Sequence, residues 1–145
     1  MVLDHVLKVV QILAYLVGAI SAGGAVLVAR SNARRERARW VENLYSRFYE
    51  NQAHKDLREK LDSEEVGSPE ISKLVSEEKP EWTDYLNFFE LVAYLQKSKQ
   101  MKKNDVDALF RYPLRCLKKH PEVNAYIRDQ RNDYQNLNEK LFEYD

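Results

Sequence analysis

Residues Val9 to Ala29 form an unbroken run of 21 residues without a charged side chain, VVQILAYLVGAISAGGAVLVA, closed at once by Arg30, Arg34, Arg35, Arg37 and Arg39. As a helix rising ~1.5 Å per residue, such a run is ~31 Å long, against ~30 Å for the hydrocarbon core of a bilayer. The run therefore predicts one transmembrane helix. The arginines stand on one side, with only Asp4, His5, Lys8 and the amino terminus on the other. The positive-inside bias then puts the amino terminus outside and the remaining chain in the cytoplasm. This divides the sequence into an extracytoplasmic tail (1–8), a transmembrane helix (9–29), a juxtamembrane amphipathic helix with a basic collar (30–62), and a helical domain (63–145) packing on 40–61.

A cleaved signal peptide and the buried helix of a soluble protein are the rivals to this reading. The first lacks a cationic cluster in its n-region, and the run exceeds the usual ~7–15 residue apolar core of a signal. Small residues also recur at helical spacing within it. Ala14, Gly18, Ser21, Ala22 and Ala25 line one stripe, a small-xxx-small face along which a second helix approaches closely. The expected partners are the lipid bilayer, a second copy or another membrane subunit, and anionic headgroups at the collar. Residues 30–49 carry six arginines against Glu36 and Glu42, a net of +4, whereas residues 50–145 carry 16 basic and 20 acidic side chains, a net of −4. That acidic balance in the body is why nucleic acid is not an expected partner.

Glycine and cysteine usage narrows the chemistry. Three of the four glycines lie in the apolar run, leaving Gly67 alone thereafter. A phosphate-cradling loop needs several glycines at fixed spacing, and hairpins lean on glycine turns, so nucleotide-binding and sheet folds are both disfavoured. A single cysteine, Cys116, excludes an intrachain disulfide. No cofactor is expected.

The fold class expected is all-α: the transmembrane helix followed by a cytoplasmic bundle of four or five helices. Trp40, Val41, Leu44, Tyr45, Phe48 and Tyr49 recur at three- and four-residue steps, and Leu57 and Leu61 carry the stripe on to a stop at DSEEVGSP. Ile71 to Val75 reads as a short helical turn. Pro80 opens a central helix with Trp82, Tyr85, Leu86, Phe88, Phe89, Val92 and Leu95, apolar on nearly every side. A third helix is capped by Asn104, with Asp107 in a capping-box position and a kink or break near Tyr112 imposed by Pro113. Pro121 starts a last helix marked by Val123, Ile127, Tyr134, Leu137 and Leu141.

The segments WTDYLNFFELVAYLQKS and NDVDALFRYPLRCLKKHPEVNAYI resemble a bacterial family of small membrane-anchored proteins of unknown function, in which a hydrophobic helix precedes a helical domain with an Asn-Phe-Phe-Glu helix. The resemblance covers residues 35–130 and centres on 86–95 and 109–115. It implies an inner-membrane protein without a known activity; phage defence and envelope stress enter only as analogy with anchored proteins of this build.

Polar residues within those segments are the candidate ligand site. Asn87 and Glu90 lie one turn apart on the central helix, and Arg111 and Arg115 one turn apart on the next. A carboxylate beside arginines serves either to fix helix register or to hold a ligand. Cys116 and His120 are too few for zinc, Asp105 and Asp107 fall in a first helical turn, and the lysines at 97, 99, 102, 103, 118 and 119 suit helix ends. The leading expectation is a non-enzymatic, membrane-tethered interaction module, self-associating or packed beside partner subunits. The alternatives are an effector that senses an anionic ligand or permeabilises the membrane, or a small enzyme built on the Glu90 and Arg111 region.

Overall fold

The computed structural model describes the backbone of residues 2–142 and the side chains of residue 8 and residues 26–141. The described residues are all-α, without a strand. The helices are α1 (Val2–Tyr49), α2 (Gln52–Ser63), α3 (Pro69–Glu77), α4 (Pro80–Lys97), α5 (Lys103–Lys119), α6 (Pro121–Arg128) and α7 (Gln135–Phe142), with a 3₁₀ turn at Gln130–Asn132 between the last two. The chain forms two compact units, Met1–Asn43 and Leu44–Asp145. Among the described residues no helix is long and apolar enough to cross a membrane. Most of the run 9–29 lies outside the residues whose side chains are described, although its backbone belongs to α1.

The second unit is built around α4, which lies against α2, α5 and α7, while α3 packs on α6. Trp82, Tyr85, Leu86 and Phe89 are wholly buried on α4, joined by Phe48 from the last turn of α1 and Phe110 from α5. Phe48 is the hub. Its ring stacks on Phe88 at 4.8 Å and meets Phe89 and Phe110 edge-on at 5.0 and 5.6 Å. Each such pair adds about 0.5–1.5 kcal/mol beyond the area it buries.

The expected helix 30–62 is broken, because α1 ends at Tyr49 and α2 begins at Gln52. Asn51 adopts an extended backbone and its side chain accepts from the His54 amide at 3.2 Å, starting a new helix. Arg58 then secures the break from the other side: its Nη1 donates to the Phe48 carbonyl at 3.1 Å, and its guanidinium lies 4.9 Å from the Phe48 ring centroid. The carbonyl that α1 leaves unbonded at its end is thus satisfied.

Three other expectations change. The short turn at 71–75 is a nine-residue helix, capped by Ser68 with Pro69 in its first turn. Asn104 is not the cap of α5; Lys102 occupies that position in extended conformation, after the buried Met101 has donated its amide to the Leu95 carbonyl at 2.9 Å. The last helix is two, separated by the 3₁₀ turn and by Asp133 in the left-handed region at φ 58°. Asp129 caps the turn, and the Asn132 carboxamide donates to the Tyr126 carbonyl at 2.9 Å. The bundle therefore has more and shorter helices than the four or five expected.

Pro113 leaves α5 unbroken. A proline removes the bond to the carbonyl four residues back, here that of Leu109. The Tyr49 hydroxyl donates to that carbonyl at 2.8 Å. The lost helix bond is replaced by a tertiary one.

Candidate functional site

Asn87 and Glu90 leave α4 in different directions. Glu90 is half-buried, and its carboxylate accepts from the Asn136 amide at 3.1 Å, the Asn136 carboxamide at 2.6 Å and the Leu137 amide at 2.7 Å. These are groups in the first turn of α7, where backbone amides lack helical partners and a negative charge is favoured. Glu90 caps another helix from the side. Arg111 is exposed and lies 3.8 Å from Asp107, a carboxylate that Lys103 and the buried Lys140 also approach, at 3.8 and 3.7 Å. Arg115 is exposed. Among the described residues no hydrogen bond or ion pair joins Glu90 to either arginine.

Asn87 instead faces a cavity of about 370 Å³ that Arg47, His54, Asp84, Phe88 and Leu91 also line. Each is placed by a local cause. Arg47 follows from the register of α1 that buries Leu44 and Phe48, and His54 from the Asn51 cap that starts α2. Asp84, Asn87, Phe88 and Leu91 share one side of α4 by three- and four-residue spacing. His54 is only 6% exposed, and its Nδ1 has no hydrogen-bond partner. Burial holds its pKa below the ordinary value; nearby Arg58 adds to this, while Asp84 and the Phe48 carbonyl oppose it. The ring is therefore a neutral wall of the cavity.

A larger hollow, about 620 Å³, lies where α6, the 3₁₀ turn and α7 meet. Two of its three carboxylates are held by cations. Asp129 is clamped by Arg131, whose hydrogen bonds pull the carboxyl down to about 2, and Glu139 pairs with Lys97 at 2.8 Å. The other groups singled out in the sequence serve the fold. His120 Nε2 donates to the Leu61 carbonyl at 2.7 Å, and Lys119 donates to the Asp62 and Glu64 carbonyls at 3.0 and 2.7 Å, closing the end of α2. Burial pushes the Cys116 thiol pKa up, away from the reactive thiolate. Among the described residues no three His, Cys, Asp or Glu side chains are grouped to hold a metal ion.

In the first unit, Arg30, Arg34, Arg35 and Arg39 are exposed and Arg37 is half-buried. Ala14, Gly18, Ser21, Ala22 and Ala25 lie outside the residues whose side chains are described.

Of the four residues expected to form a ligand site, only Asn87 lines this cavity. Arg47, His54 and Asp84 carried weak signals. Arg47 is two positions beyond an apolar stripe residue, His54 follows an Asn with cap spacing, and Asp84 lies three residues before Asn87. Compared with protein-family models, curated proteins and solved structures, the chain matches none of them.

Proposed function

We propose that this protein is a membrane-anchored, non-enzymatic helical interaction module: the run 9–29 crosses the inner membrane, the amino terminus lies outside, and the second unit works in the cytoplasm. The observation that carries the reading is the uncharged 21-residue run closed by the arginine collar. Two features support it. The backbone of α1 is one helix from Val2 to Tyr49, so the run bonds its own amides and carbonyls, as a hydrocarbon environment requires. Glu90 and Arg111, the pair on which an enzymatic reading relies, are each engaged with other groups of the fold. The stripe of small residues at Ala14, Gly18, Ser21, Ala22 and Ala25 is the proposed contact with a second copy or a partner subunit, and the arginines meet anionic headgroups.

Topology is the test. In a Cys116→Ser background, a cysteine placed by Val2→Cys reacts with a membrane-impermeant maleimide on intact spheroplasts, and one placed by Glu65→Cys reacts only after lysis. Labelling of the second site in intact spheroplasts would overturn the orientation. Gly18→Leu with Ala22→Leu should reduce oligomer size in detergent; an unchanged size removes the contact.

A further inference from the structure

We infer that the cavity shared by α1, α2 and α4 is a binding site for a small zwitterion of the free amino acid class, with an apolar side chain.

Arg47 and Asp84 line the same cavity, yet no ion pair joins them among the described residues. Opposite charges facing one space without closing on each other leave a gap for a ligand bearing both signs. The guanidinium presents a planar fork of donors that fits a carboxylate, and the aspartate accepts from an ammonium. A plain phosphate or carboxylate would meet repulsion from Asp84, and a plain amine would meet repulsion from Arg47. A zwitterion satisfies both.

The rest of the lining agrees. Asn87 supplies both an amide donor and a carbonyl acceptor beside the charged pair. Phe88 and Leu91 add apolar surface to the lining, Leu91 being 42% exposed. The His54 ring, 6% exposed, completes the wall as a neutral surface, with its Nδ1 buried out of reach of the open space. At about 370 Å³ the space lies near the small end of the ~300–1,000 Å³ range of ligand pockets, with room for a free amino acid.

This inference goes beyond the proposed anchor and does not depend on it, since all the named residues belong to the second unit. The test is calorimetric titration of the full chain in detergent with the standard free amino acids. At least one apolar amino acid should bind saturably. Its N-acetyl derivative, lacking the ammonium, and its carboxamide, lacking the carboxylate, should each bind at least about tenfold more weakly. Asp84→Asn should abolish the discrimination against acetylation, and Arg47→Gln the discrimination against amidation, with thermal melting of both variants unchanged. Absence of saturable binding at millimolar concentration for every amino acid would overturn the inference. So would equal binding of the doubly blocked derivative, which would give the cavity to a peptide segment of a partner protein.

Discussion

The two ends of α1 are one continuous helix with opposite sequence rules. Residues 9–29 are uncharged on every side, whereas residues 44–49 are apolar on one stripe only, with Leu44 and Phe48 4% and 0% exposed and Tyr45 and Arg47 exposed. Burial by a protein core needs a stripe; burial by lipid needs a whole circumference. Backbone conformation is common to both, so it does not distinguish them. Under the proposed function, what differs is the medium that each segment meets.

The comparison breaks first at its protein end. Phe48→Ala should cost about 3–5 kcal/mol, since it empties the centre of the aromatic cluster, and chemical denaturation should show it without any change in membrane retention. At the other end, Gly18→Arg places a charge mid-run at about 2.5–3.5 kcal/mol. It should move the chain out of the membrane fraction while the melting temperature of the second unit holds. If either variant produced both effects, the two segments would not be independent in the way proposed.

Smaller substitutions sharpen the account within the domain. Glu90→Gln removes the charge that accepts three bonds from α7, and should cost about 1–3 kcal/mol. Tyr49→Phe leaves the Leu109 carbonyl without its donor and should cost about 1 kcal/mol, read from the denaturation midpoint. The smallest effect is on pH dependence. The His54 pKa lies below its ordinary 6.5 in the folded chain, so the unfolded chain binds more protons in this window. Stability is therefore full above 6.5 and falls as pH drops through 6.5 towards the lowered folded value. His54→Gln should flatten the melting temperature across that window relative to the native chain.

The sequence carried the core better than the joints. Trp82, Tyr85, Leu86, Phe89, Val92 and Leu95 were legible as buried because α4 has apolar residues on most sides. The break at Asn51 was hidden by Leu57 and Leu61, which prolong the apolar stripe of α1 across it, so periodicity outweighed a cap signal. The division of the last helix turned on Asp133 entering the left-handed region and on side-chain bonds from Asp129 and Asn132, which are local competitions that apolar spacing does not record. Pro113 misled for the complementary reason: its cost is met by Tyr49, which is 60 residues from Leu109 in the chain.

The cavity shows the same limit. Asn87 was visible as a polar residue on an apolar helix, and so was Glu90, yet the roughly 60° between them around the helix axis gives them different surroundings. Which of the two meets α7 depends on tertiary packing. Arg47 was legible only as one of the six arginines of residues 30–49, because its proximity, and that of His54, to Asp84 arises from the turn between α1 and α2.

The most direct measurement is alkaline carbonate extraction of cell membranes carrying the native chain, followed by ultracentrifugation. The chain should stay in the pellet with integral membrane proteins and leave it only on detergent treatment. Recovery in the carbonate supernatant would contradict the anchor.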